Sequence, residues 1–213
     1  MGYRSQADTH TDKSVQLTLD KALTLAGIDM PAGTRLDLDQ GDAPSAFRSA
    51  LFPATIQVNG LDTSQVFRYQ RAVPEAPDQA IETLSLVTPR DQTIDGWLCS
   101  YKHRIELSRR NDNYQFKSCY LANGNLIGSL EAPVGSWLQA REALAVPPSH
   151  TDTRWRLRTQ GSQAIVIGTL PLLKVELELD VQRRILGFEG LLAQDLKLGG
   201  VHYPAGTQVN SAG

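Results

Sequence analysis

The densest group of side chains that could do chemistry is Trp97, Tyr101, His103 and Arg104. Rings and a guanidinium offer flat, amphipathic contact, so the chemistry they suggest is stacking against a carbohydrate or a peptide. The same residues have a purely structural reading, in which Trp97 caps the core beside Gly96 and the others decorate a loop. Paired charges occur at Asp37/Asp39, Glu176/Glu178 and Arg183/Arg184. At the strand spacing of two the acidic pairs share one face, and all three pairs read most simply as a solvated, charged surface. General acid–base work needs two carboxylates facing across a cleft, and spacing alone assigns no catalytic residue.

Other chemistries find less support. No HExxH, Gly-x-Ser-x-Gly, Walker loop or Gly-x-Gly-x-x-Gly occurs. Gly124-Asn-Leu-Ile-Gly128 has no Lys-Ser/Thr after it to cradle a phosphate. His10, His103, His150 and His202 have no partner two or four positions away, so no metal and no cofactor is predicted. Cys99 and Cys119 lack metal-ligand spacing and flank the same hairpin. They read as buried small hydrophobes or as a disulfide of an oxidising compartment; a catalytic thiol would need a His or acidic neighbour that neither has.

The bulk numbers narrow the class further. The chain has 213 residues, 41% hydrophobic and 21% charged, with a net charge of −2. That is an ordinary globular mixture, long enough to bury a sizeable core. Acidic and basic residues are interleaved, so neither nucleic acid nor anionic lipid is an expected partner. Apolar stretches such as Ala164–Gly168 and Leu170–Leu173 are too short to span a bilayer as helices.

These residues need elements to position them, and the elements follow a spacing. Leu23-Thr-Leu-Ala-Gly27-Ile-Asp-Met-Pro31-Ala-Gly33-Thr34-Arg-Leu36 matches Leu196-Lys-Leu-Gly-Gly200-Val-His-Tyr-Pro204-Ala-Gly206-Thr207-Gln-Val209 without a gap. Looser copies centre on Gly60, Gly96, Gly128 and Gly168, so the anchor glycines are 33, 36, 32, 40 and 32 residues apart. Phe47–Leu51, Phe116–Leu121 and Phe188–Leu192 each precede an anchor and end in a polar break. Alternation such as Val175-Glu-Leu177-Glu-Leu179 puts apolar side chains on one face. Asp39–Asp42 and Arg109–Asn113 are turn clusters between such segments.

The fold class this predicts is all-β: a mainly antiparallel meander of about six three-strand repeats, forming a solenoid-like, barrel or sandwich sheet system. Asp78–Leu86 and Ser136–Ala145 could each begin a short helix, but repeat register favours strand at Leu84-Ser-Leu86 and Trp137-Leu138. Arg141–Ala145 is the best candidate for one helical turn. The expected organisation is a polar leader over residues 1–14, one β-repeat domain over 15–209 and a tail over 210–213. The Pro-rich connectors are Arg71–Asp78 and Val146–Asp152, with a subdivision near 146–153 as the alternative.

Ile94-Asp-Gly96-Trp-Leu-Cys99, Ile105-Glu-Leu107 and Phe116-Lys-Ser-Cys119-Tyr-Leu-Ala122 resemble repeats of uncharacterised bacterial β-repeat proteins. The resemblance implies a bacterial β-repeat protein and brings no activity with it; the Gly-x-Gly and Tyr-x-Asn-Gly spacing of MORN repeats is missing. The expected function is a non-catalytic scaffold or binding module of the cell envelope or periplasm, taking a protein, glycan or lipid. Its end strands are free to pair with a partner or with a second copy. Three alternatives are kept: a hydrolase or lyase acting on a polysaccharide along a repeat face, a toxin-inhibiting immunity protein, and a cytoplasmic location. The polar start, Met1–Ser14, suits either compartment.

Overall fold

Alternating apolar and polar residues become strands, which make up more than half of the described residues, with no α-helix among them. The computed structural model describes residues 14–73, 76–110, 113–144, 147–161 and 163–211. All of the expected leader except Ser14, and residues 212 and 213 of the tail, lie outside the described residues.

The chain opens with β1 (Ser14–Thr18), a ribbon of β2 (Leu23–Leu25) and β3 (Ile28–Met30), and β4 (Arg35–Asp39). A 3-10 turn at Pro44–Ala46 leads into the long hairpin of β5 (Ser49–Val58) and β6 (Leu61–Val73). Next come β7 (Ala76–Val87), the ribbon β8 (Gln92–Ile94) and β9 (Trp97–Cys99), and β10 (Ile105–Arg110). They are followed by β11 (Asn113–Tyr120), the ribbon β12 (Leu126–Ile127) and β13 (Leu130–Glu131), and β14 (Trp137–Ala140). A second 3-10 turn, Arg141–Ala143, precedes β15 (Trp155–Arg158), β16 (Ile165–Ile167) and β17 (Leu170–Leu179). The chain ends with β18 (Ile185–Leu192), the ribbon β19 (Leu196–Leu198) and β20 (Val201–Tyr203), and β21 (Gln208–Asn210). Of the two stretches weighed as helices, Asp78–Leu86 lies in β7, while Ser136–Ala145 gives β14 and then the 3-10 turn Arg141–Ala143, with Ala145 outside the described residues.

These strands make one large antiparallel meander. Its path runs β1-β4-β5-β6-β7-β10-β11-β14-β15-β17-β18-β21, with β16 added on β17, and the four short ribbons form sheets of their own. Every main-path strand therefore pairs with its neighbours in sequence. At four places between main-path strands, β1/β4, β7/β10, β11/β14 and β18/β21, the chain makes a two-strand ribbon.

The anchor glycines sit in the ribbon and hairpin turns. Leu25 pairs with Ile28 across Ala26 (φ 50°) and Gly27 (φ 74°), a two-residue primed turn whose twist suits the flanking strands. Gly199 (φ 56°) and Gly200 (φ 85°) repeat it between Leu198 and Val201. Ala26 is the misfit, because a Cβ in the left-handed region clashes with the following carbonyl. Ala26→Gly is expected to stabilise the fold by about 1 kcal/mol, read as a higher urea midpoint at unchanged slope. An unchanged or lower midpoint would refute that account.

The P-x-G-S/T turns share one hydrogen-bond pattern. The hydroxyls of Thr34, Ser136 and Thr207 donate to the carbonyls of Pro31, Pro133 and Pro204 at 2.7, 2.7 and 2.6 Å. The N–H groups of Gly33, Gly135 and Gly206 donate to the carbonyls of Leu19, Leu121 and Leu192 at 2.7, 2.9 and 2.8 Å.

One face of the sheet carries the core. Leu36, Val66, Leu84, Leu86, Ile105, Leu107, Leu138, Leu157, Leu177 and Leu179 are all fully buried there. Leu25, Ile28, Met30, Trp97, Cys99 and Ile127, from the first three ribbons, belong to the same cluster, so these three ribbons fold over this face. The Tyr114 hydroxyl of β11 donates to the Ala26 carbonyl at 3.1 Å and also bonds the buried Glu82 carboxylate. Asn125 ties the β8–β9 ribbon down, accepting from Leu98 N–H and donating to Leu98 O, both at 2.9 Å. Cys99 of β9 and Cys119 of β11 are joined as a disulfide, S–S 2.03 Å. Across the Pro147–Thr153 connector β14 pairs with β15, and the core continues without a break.

Candidate functional site

Strand register builds the opposite face of the sheet. Direct pairing aligns Phe67, Ser85, Glu106, Ser118, Gln139, Arg156 and Glu178 in one row across seven strands. A second row runs Tyr120, Trp137, Arg158, Glu176 and Glu189. Because side chains alternate along each strand, these rows lie away from the core.

A groove of about 400 Å³ opens between the two rows, lined chiefly by Tyr69, His103, Arg104, Glu106, Tyr120 and Trp137. Arg104 lies over the Phe67 ring, 3.7 Å from its centre, and donates to the Tyr69 hydroxyl at 3.1 Å. The His103 ring is 4.4 Å from that of Tyr120, and the Arg158 guanidinium 5.7 Å from the centre of the Trp137 ring. On the floor Glu106 accepts from the Ser118 hydroxyl at 3.1 Å and pairs with Lys117 at 3.0 Å. Half-exposed rings held by cations, beside a carboxylate and a hydroxyl, form a surface suited to stacking on an amphipathic ring and bonding its hydroxyls.

The structure separates the four residues singled out from the sequence. His103 and Arg104 line this groove. Tyr101, 48% exposed, sits on the loop between β9 and β10, where its N–H donates to Asp91 at 2.9 Å. Trp97 is wholly buried, edge-on to Trp155 at 6.1 Å and covered by Arg183 at 4.0 Å. Its ring belongs to the core and takes no part in the groove. Tyr69, Tyr120 and Trp137 were missed, since they come from strands far apart in sequence. Their alternation along the strand with the core residues Val66, Cys119 and Leu138 was the signal that could have found them.

A second groove, of about 700 Å³, adjoins through Arg158 and holds His150, Arg156, Glu176, Glu178 and Glu189. Here carboxylates and bases do converge, as a hydrolase or lyase would require. Glu178, however, is no solvated surface charge. It is 8% exposed and accepts from the N–H groups of Ser149 and His150 at 2.8 and 3.1 Å. The His150 ring at 2.9 Å, the Thr153 hydroxyl at 3.1 Å and Arg156 at 3.3 Å complete its shell. Burial pushes this carboxyl up, but the Ser149 N–H, the His150 ring and N–H and the Thr153 hydroxyl outweigh it and hold it at about 2. Glu176 is taken by Arg156 at 3.1 Å and Arg158 at 2.6 Å. Glu178, held this low, is a poor proton carrier near neutral pH.

The remaining pairs also have structural partners. Asp37 accepts from the Ser49 hydroxyl at 2.5 Å, and Asp39 pairs with Arg48 at 3.0 Å. Arg184 pairs with the buried Asp180 at 2.6 Å. His202 meets Asp195 at 3.2 Å, while His10 lies outside the described residues. Among the described residues no group of three His, Cys, Asp or Glu is placed to hold a metal ion. No helix there is long and apolar enough to cross a membrane. Compared with family models, curated proteins and solved structures, the chain matches none.

Proposed function

We propose that the protein is a non-catalytic β-repeat binding module whose ligand is a glycan chain laid along the groove of Tyr69, His103, Arg104, Tyr120 and Trp137. In this reading each repeat is a strand–ribbon–strand unit, diverged from one ancestor, and the ungapped match around Gly27 and Gly200 supports it. The observation that carries the functional reading is the row of half-exposed rings clamped by Arg104 and Arg158 on the face away from the core. A location in the bacterial envelope or periplasm fits the Cys99–Cys119 disulfide, which persists in oxidising compartments. The hydrolase or lyase alternative has its cleft, but the Glu176 and Glu178 carboxylates in it are committed to Arg156, Arg158 and the 149–153 backbone.

The tryptophans make the test simple. Trp97 and Trp155 are buried, so a ligand in the groove changes the emission of Trp137 above all. Titration with neutral and acidic polysaccharide fragments is expected to shift that emission saturably. Trp137→Ala is expected to weaken binding, followed calorimetrically, by about tenfold, ~1.4 kcal/mol, the scale of one lost ring contact. Binding by the wild type that Trp137→Ala leaves unaltered would move the ligand elsewhere.

A further inference from the structure

We propose that the two ends of the sheet form one interface, β21 of one molecule pairing antiparallel with β1 of a second copy, so that the chain assembles head to tail. The proposal rests on reading the strand–ribbon–strand segments as copies of one unit, and is independent of what the groove binds.

The two near-identical segments show what is uncovered. Leu25, Ile28, Met30 and Leu36 correspond, 173 residues on, to Leu198, Val201, Tyr203 and Val209. The first set is 8, 3, 1 and 0% exposed, in a unit whose β4 is paired on its far side by β5. The later set keeps its apolar character, yet Leu198, Val201 and Tyr203 are 49, 52 and 37% exposed. The reason is position: β4 uses Arg35-Leu36-Asp37 to pair with β5, while the corresponding Gln208-Val209-Asn210 forms β21, the last strand of the path among the described residues. The ribbon is built to be covered by a following unit.

The other end offers such a unit. Val15 and Leu17 of β1 stand opposite Leu38 and Leu36, on the core side of the sheet, but are 45 and 37% exposed. Along the antiparallel path of twelve strands, first and last run in opposite directions. A copy shifted along the sheet therefore sets its β1 antiparallel against β21, as β5 lies against β4. Neither Ser14-Val-Gln-Leu-Thr18 nor Gln208-Val-Asn210 carries the charge or proline that usually guards an edge. An interface of this kind joins unlike surfaces, so it continues into a filament unless its rotation closes a ring.

The test uses the full chain in sedimentation velocity from micromolar to several hundred micromolar. Mass is expected to rise with concentration through dimer and higher species. Val15→Lys and Val201→Lys each replace an exposed side chain, and circular dichroism checks that both variants fold. Each alone is expected to stay monomeric, whereas their mixture forms a 1:1 dimer that grows no further, because each variant keeps one intact end. A wild type monomeric throughout, or a variant that still dimerises by itself, overturns the proposal. The second result would instead indicate a symmetric pairing of like edges. Trp137 titrations on the same samples keep this outcome separate from that of the groove.

Discussion

Glu178→Gln is expected to destabilise the protein by about 3 kcal/mol at pH 7 and to flatten the acid limb of its stability profile. The carboxylate is buried and takes five donors from the 149–156 stretch. Glutamine would turn an NH₂ towards donors that have nowhere else to bond. The pH dependence follows from the depressed carboxyl. Its value is about 2 when folded against 4.5 when unfolded, so the unfolded chain binds the proton first. The contribution is whole above about pH 5 and is lost as pH falls towards 2, to a total near 3 kcal/mol. Urea midpoints from pH 7 to pH 3 check it, with Glu189→Gln, an exposed neighbour, expected to change stability by less than about 0.5 kcal/mol. If wild type and Glu178→Gln lose stability in parallel on acidification, the carboxylate is not the cause.

Reducing the disulfide is expected to cost a similar amount. Cys99 and Cys119 are 20 residues apart, and closing a loop of that length stabilises a fold by about 3 kcal/mol. The bond also staples the β8–β9 ribbon to β11 from inside the core, where both cysteines are buried. For a chain of this length the loss corresponds to about 10 °C in melting temperature. Melting with and without dithiothreitol gives the comparison, and Cys99→Ala/Cys119→Ala should melt with the reduced protein. Equal melting temperatures would mean that the ribbon is held by packing and Asn125 alone.

Glu178 also shows where sequence reasoning stops. Alternation in Val175–Leu179 correctly set Glu176 and Glu178 apart from the core face. It could not show that the 147–153 connector folds back over Glu178, since that depends on a loop closing onto a distant strand. Trp97 takes its structural reading: in the run Gly96-Trp97-Leu98-Cys99 strand alternation turns it inward with Cys99, beside Trp155, and away from His103 and Arg104. The turns were legible because their chemistry is local. A Pro-Ala-Gly-Thr run carries its own hydrogen bonds at residues 31–34 and again at 204–207. The groove was half legible, with His103 and Arg104 adjacent in the chain, the rings Tyr69 and Phe67 35 and 37 residues before Arg104, and Tyr120 17 residues after His103.

The order of the main strands has a kinetic consequence. Since each pairs with its neighbour in sequence, no strand must wait for a distant one before it can zip. The loops to be closed are short, and closure entropy grows only slowly with their length. The protein should therefore fold faster than sandwiches of equal size whose strands cross between sheets. Nucleation can begin at any hairpin and spread both ways, so a slowed local step in one segment would delay its neighbours without redirecting them.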